Sequence, residues 1–216
     1  MYRILAVLIG YAFGNFLFGF LYGKMHHKDI RTLGSGNVGT TNTVRTMGVL
    51  PGVITLFCDC IKVVVAYFVC GLIFSKTTNL GESYIQLLQV YAAFGAVLGH
   101  DFPAVLKFKG GKGIASSLGF ICVVLPEALP GALVCFVLVV CVTRFVSLGS
   151  ILAAIVIFVE SLIFYHFDLF HYEGLFNIEV LLIIIFLVCL TIFLHRSNIK
   201  RLASGNENKF SFHPNV

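Results

Sequence analysis

The chain has 216 residues, of which 58% are hydrophobic and only 12% charged, with a formal net charge of +5 and a mean hydropathy of +0.96. A soluble domain carries about 25% charged residues, so this chain has too little polar surface to cover a globule in water. That excludes a soluble dinucleotide-binding domain, gives no reason to expect a nucleic-acid partner, and points to an integral membrane protein.

Seven apolar stretches follow along the chain, at 4–22, 52–74, 84–99, 114–125, 131–146, 151–165 and 180–194. A helix crossing ~30 Å of hydrocarbon needs about 20 residues. The first two stretches suffice outright, and the third, sixth and seventh suffice with their flanking residues. The fourth stops at Pro126, which makes it a tilted or half-inserted helix. The first has no convincing small-residue cleavage site and six more stretches follow it, so it reads as a span and not a signal peptide. The expected fold is an all-α integral membrane protein, a seven-span helical bundle over residues 1–195 with a C-terminal segment at 196–216. The cysteines (Cys58, Cys60, Cys70, Cys122, Cys135, Cys141 and Cys189) lie in or beside spans. They read as small buried hydrophobes, not as a disulfide framework or a metal site.

Orientation follows from Lys and Arg. Seven spans put the ends on opposite sides. One side then receives Lys24, Lys28, Arg31, Arg45, Lys107, Lys109, Lys112, Arg144, Arg196, Lys200, Arg201 and Lys209; the other receives Arg3 and Lys76, with Lys62 inside a span. The N-terminus is expected outside and the C-terminus, 196–207 included, on the cytoplasmic face.

This topology gathers every polar, glycine-rich stretch on the cytoplasmic side. Residues 24–51 form a long connection without apolar periodicity, which reads as an ordered binding loop. Within it Gly34, Gly36 and Gly39 match the spacing G-x-G-x-x-G, but they follow a membrane helix, where a dinucleotide site needs a strand. Glycines free the backbone amides for an anion, and Ser35, Asn37, Thr40, Thr41 and Asn42 add short hydrogen-bonding groups. The segment KGGKGIASS places Lys109, Gly110, Gly111, Lys112 and Gly113 at the start of the fourth helix, where free amides and the positive dipole end favour phosphate. It is not a Walker A loop, because Gly113 stands where Ser or Thr is required. HRSNIKRL adds Arg196, Lys200 and Arg201 after the last span. The shared chemistry is phosphate.

Anchoring to anionic headgroups explains Lys24, Lys28, Arg31 and Lys107. Arg45, Lys112 and Arg196 sit among Gly, Asn and Ser residues that anchoring does not require, and read as functional. His100 reads as an interfacial hydrogen-bonder before a catalyst, and His195 gains weight from Arg196 and Asn198. Asp59 and Lys62 form the one oppositely charged pair inside a span, at i,i+3. A structural pair facing the bundle is their expected role, with a polar wall of the site second.

GSGNVGTTNTVR, GHDFPAVLKFKGGKGIAS and HRSNIKRLASGNE closely resemble the three signature segments of the bacterial acyl-phosphate:glycerol-3-phosphate acyltransferases, the PlsY family. The resemblance runs over nearly the whole chain, with Thr40 where the family more often has alanine. It implies a bacterial inner-membrane enzyme, its active site on the cytoplasmic face, that moves an acyl group from acyl phosphate to the 1-hydroxyl of sn-glycerol 3-phosphate. The products are 1-acyl-glycerol 3-phosphate and phosphate, the first step of phospholipid synthesis. The resemblance also implies that Ser35, Asn37, Thr41, Asn42 and Arg45 line the site, with the backbone of Gly36 and Gly39. Lys112 holds a phosphate beside Lys109, Gly110, Gly111 and Gly113, and Ser150, His195, Arg196 and Asn198 complete the set, with His100 nearby. No cofactor is implied; the partners are the two substrates and membrane lipid.

An activated donor needs no covalent enzyme intermediate. No Ser-His-Asp set is visible, and the H-x4-D motif of other glycerol-phosphate acyltransferases is absent. Lys112, His195 and Asn198 are the expected catalytic groups. The proton acceptor stays open between His195, His100 and a phosphate oxygen of the acyl phosphate. A transporter of organic phosphates would also explain the cations and the Asp59–Lys62 pair, but the spans show no two-fold repeat and the motifs lie on one face. A bundle that only binds anionic lipid would not require three Gly/Asn-rich loops.

Overall fold

The computed structural model describes residues 1–210; the expected C-terminal segment is therefore described to Phe210, and positions 211–216 lie outside the described residues. All regular structure among the described residues is helical. The helices are α1 (Tyr2–Gly14), α2 (Phe18–Met25), α3 (Thr40–Met47), α4 (Val49–Thr77), α5 (Glu82–Asp101), α6 (Ile114–Val124), α7 (Leu129–Thr143), α8 (Val146–His166), α9 (Phe176–Leu194) and α10 (Arg196–Ala203). The described residues divide into two compact units, 1–124 and 125–210.

Each of the seven apolar stretches is helical over most of its length, the first in two pieces. Among the described residues five segments are long and apolar enough to cross a membrane: Tyr2–Met25, Val49–Thr77, Pro126–Thr143, Val146–His166 and Phe176–Leu194. Helix α5 has the length, with 20 residues, but carries Glu82, Gln86, Gln89, His100 and Asp101. Helix α6 has 11 residues and rises only about 16 Å, in keeping with the short helix expected before Pro126.

In the first unit α4 packs against α1, α3, α5 and α6, and α1 lies along α5. A methyl on Gly10 or Gly14 would strike the carbonyl of Ala92 or Ala96, and Gly95 and Gly99 meet the carbonyls of Val7 and Tyr11. This seam of small residues lets the two backbones approach closely. The expected first span is broken between α1 and α2, across Asn15–Leu17. A break leaves carbonyls unpaired in the membrane; here the ammonium of Lys62 donates to Phe16 O at 2.8 Å and Gly14 O at 3.2 Å.

In the second unit α8 packs on both α7 and α9, and α10 follows directly from α9. Gly149 of α8 faces Phe136 and Val140 of α7. Many large apolar side chains stay exposed, among them Phe57, Phe68, Leu138, Leu182 and Phe186, as lipid-facing positions require.

Candidate active site

The long connection after α2 is ordered, and it contains a helix that the lack of apolar periodicity hid. A 3-10 turn at Ile30–Thr32 begins at Asp29, whose carboxylate takes Arg31 Nε at 2.9 Å and Nη2 at 2.7 Å. That guanidinium holds the Asp29 carboxyl well below the usual range, at about 2. Gly34 and Gly36 have φ of +57° and +72°, the left-handed region that glycine tolerates best. The side chain of Asn42, 2% exposed, organises the loop. Its amide donates to Asn37 O (2.8 Å), Leu33 O (3.0 Å) and Ile30 O (3.2 Å). Its oxygen accepts from the backbone N–H of Ser35 at 2.8 Å. Asn37 Oδ1 accepts from Gly39 N–H at 3.0 Å, immediately before α3. Ser35 is exposed, and Thr41 and Arg45 are half-buried on α3. The hydroxyl of Thr40 is buried and makes no hydrogen bond.

The second glycine loop folds back on the end of α5. Gly110 N–H donates to Asp101 O at 3.1 Å and Gly111 N–H to His100 O at 3.0 Å. This corrects the expectation that these glycines offer their amides to an anion: both donate inward and shape the loop. The amides that lack a carbonyl partner within the helix are those of the first turn of α6, next to Lys112. Lys112 is half-buried, Gly113 turns the chain into α6 with φ +75°, and Lys109 is exposed. Val38 from the first loop and Leu106 from the second pack in one cluster with Leu17 and Ile30, so the two loops are neighbours.

Behind the second loop His100 and Asp101 are 2% and 3% exposed. His100 Nδ1 lies 2.9 Å from Lys62 Nζ, which in turn is 2.9 Å from Asp59 Oδ1. The pair expected to face the bundle does so, and His100 is its third member.

In the second unit the third motif is organised by Glu207. Its Oε1 accepts from Asn198 Nδ2 at 2.8 Å and Ser147 Oγ at 3.0 Å, and its Oε2 from Arg201 Nε at 2.8 Å. Burial raises the Glu207 carboxyl, but the bonds from Asn198, Arg201 and Ser147 outweigh it and hold the carboxyl below its ordinary value. His195 is 4% exposed, with Nδ1 2.8 Å from Thr191 O. A carbonyl only accepts, so Nδ1 carries the hydrogen and any proton exchange at this ring runs through Nε2. Ser150 is buried and donates to Val146 O at 2.9 Å. The Arg196 guanidinium stacks 4.5 Å from the Phe193 ring and donates to Phe193 O at 3.2 Å.

Sequence reasoning passed over Glu207, Ser147, Thr191 and Asp101. The available signals were slight: Glu207 closes the third motif, and Asp101 follows His100 directly.

The chain matches the family described as glycerol-3-phosphate acyltransferase over residues 4–205. It is 36% identical over 200 residues to a glycerol-3-phosphate acyltransferase of Trichlorobacter lovleyi, which covers 93% of each chain. It is 38% identical over 210 residues to glycerol-3-phosphate acyltransferase 2 of Bacillus anthracis, with 96% of this chain and 98% of the relative covered. It is similar to the crystal structure of PlsY, an integral membrane glycerol 3-phosphate acyltransferase, in its glycerol 3-phosphate form. That likeness has a TM-score of 0.80 and 31% identity over 97% of this chain and 96% of the other. The lysophosphatidic acid form gives a TM-score of 0.77 with 30% identity and the same coverage. Matched from one end to the other, this chain belongs to the glycerol-3-phosphate acyltransferase family, integral membrane enzymes of phospholipid synthesis.

Proposed function

We propose that the acyl donor is an acyl phosphate and that reaction takes place on the cytoplasmic face of the bacterial inner membrane. The bundle is assigned seven spans over residues 1–195, N-terminus outside, with the segment 196–216 cytoplasmic and 196–207 on the active face. The 1-hydroxyl oxygen of glycerol 3-phosphate attacks the acyl carbon and forms the ester bond. The bond from that carbon to the phosphate oxygen breaks, and the hydroxyl proton leaves with the released phosphate. The donor supplies its own leaving group, so the protein is left with positioning, charge stabilisation and one proton transfer.

The observation that carries this reading is the setting of Lys112, a half-buried cation two residues before the first turn of α6. The loop before it is tied inward by Gly110 and Gly111. An ammonium held beside helix amides suits a phosphate. Ser35, Thr41 and Arg45, with the backbone of Gly36 and Gly39, are assigned to substrate binding. Asn37 and Asn42 serve it by holding that loop in shape. Lys109, Gly113, Ser150, Arg196 and Asn198 are likewise assigned to substrate. His195 holds a phosphate in its charged form, and a phosphate oxygen of the donor takes the proton.

Purified protein in detergent, given glycerol 3-phosphate with palmitoyl phosphate or palmitoyl-CoA, tests the reading. Phosphate and 1-acyl-glycerol 3-phosphate should form in equal amounts from the first donor. Turnover with the thioester alone would refute it.

A further inference from the structure

Asp59, Lys62 and His100 form a chain of polar groups that the acyl transfer does not use, each at least nine-tenths buried. Lys62 Nζ is within 3.2 Å of Asp59 Oδ1, His100 Nδ1, Gly14 O and Phe16 O. Three protons serve four neighbours, and His100 Nδ1 also lies 3.5 Å from Asp59 Oδ1, so Lys62 and Asp59 together hold this side of the ring. The other ring nitrogen is Nε2. That nitrogen faces Gly111: a methyl added there would strike Nε2 and come within 2.8 Å of Cδ2 and 3.0 Å of Cε1. A methyl on Gly113 would meet the Asp101 carboxylate at 2.8 and 2.9 Å. The loop that carries Lys112 thus rests on His100 and Asp101, and Lys62 fixes His100 from behind.

We infer that Asp59 and Lys62 are positioning residues for the anion-binding loop. They set the place of the His100 ring, and the ring sets the height of Gly111 and so of the Lys112 ammonium. The same ammonium ties down the two carbonyls at the α1–α2 break, which couples the break to the loop. Asp59 compensates the buried charge, which would otherwise be costly. This inference rests on the reading that the loop holds a substrate phosphate. A cluster that merely stabilised the bundle would have no reason to touch the loop through a glycine.

The test uses the full chain in detergent with Lys62→Met, Gly111→Ala, His100→Ala and the double variant Gly111→Ala/His100→Ala. Lys62→Met should raise the KM of one of the two phosphate substrates about 10- to 100-fold, the scale on which a small misplacement of a positioned group is felt, and leave the other KM within about twofold. Gly111→Ala should impair the same KM, and His100→Ala should relieve it, so that the double variant binds better than Gly111→Ala alone. Unchanged KM values in folded Lys62→Met, or losses that multiply in the double variant, overturn the inference. If Lys62→Met does not fold, Asp59→Asn takes its place: the same KM should rise, and unchanged KM values in folded Asp59→Asn overturn the inference. Calorimetric binding of inorganic phosphate and of glycerol 3-phosphate to the same proteins needs no donor. It gives the same ranking even if the donor reading fails, which keeps the two failures apart.

Discussion

Replacing Glu207 by Gln removes one charge from a site that three groups share. The Glu207 side chain is 5% exposed and that of its partner Arg201 36%. The isosteric amide keeps an acceptor for Asn198 and Ser147 but turns an NH2 toward Arg201 Nε–H, donor against donor. Arg201 is exposed enough to recover water, so the expected cost is that of one charge-assisted bond, about 2 kcal/mol. For a chain of this size that lowers the melting temperature by roughly 4–8 °C. Thermal unfolding followed by circular dichroism in detergent reads it directly. The pH dependence carries the sign. The folded Glu207 carboxyl titrates below its ordinary value, so its stabilisation is fully present above the unfolded value, about 4.3. It is lost as pH falls through the folded value. The gap between wild type and Glu207→Gln should hold from pH 7 to pH 5 and close in more acid solution. Equal melting at pH 7, or a gap that widens toward acid, would refute the role given to this carboxylate.

Thr40→Val keeps the shape and removes a buried hydroxyl without a partner, so it should stabilise by up to about 1 kcal/mol with unchanged turnover; a loss of stability would mean that the hydroxyl is bonded. His195→Gln separates the two proton routes. A loss of ~10²–10⁴ in rate together with the imidazole limb of the pH–rate profile would make His195 the base; we expect a smaller loss with the limb retained, because it then belongs to the substrate phosphate. Orientation is read by cysteine tags in a background without native cysteines, at the exposed positions Glu82, Glu173, Lys28 and Ser204. The first two should label from outside and the last two only after permeabilisation, and external labelling of Lys28 would invert the topology.

The spans were legible because a long apolar run has few other uses: residues 52–74 became α4 and 180–194 became α9. The break at Asn15–Leu17 was not, since both halves of the run are apolar and the groups that complete it sit on Lys62, 46 to 48 residues away. Helix α3 was hidden because its sequence TTNTVRTM lacks an apolar stripe; it forms with Val44 packed on Gly52 of α4 and Asn42 bonded into the loop. The glycines of the second loop were recognised as a phosphate motif, but spacing alone does not say that Gly110 and Gly111 turn their amides toward α5. Glu207 closes the third motif, but its partner Ser147 lies 60 residues away and no local pattern joins them. Asp59 and Lys62 were paired from their i,i+3 spacing, while His100, 38 residues on, required the fold.

Lys112, two residues before α6, is assigned to hold a substrate phosphate during transfer. Steady-state kinetics of Lys112→Ala with acyl phosphate and glycerol 3-phosphate test it most directly, with melting temperature as the control for folding. The rate should fall at least ~100-fold in a protein that melts like wild type. Lys112→Arg should recover little, because a planar fork does not replace a point charge. Turnover of folded Lys112→Ala within a few-fold of wild type would contradict the claim and remove this residue from the site.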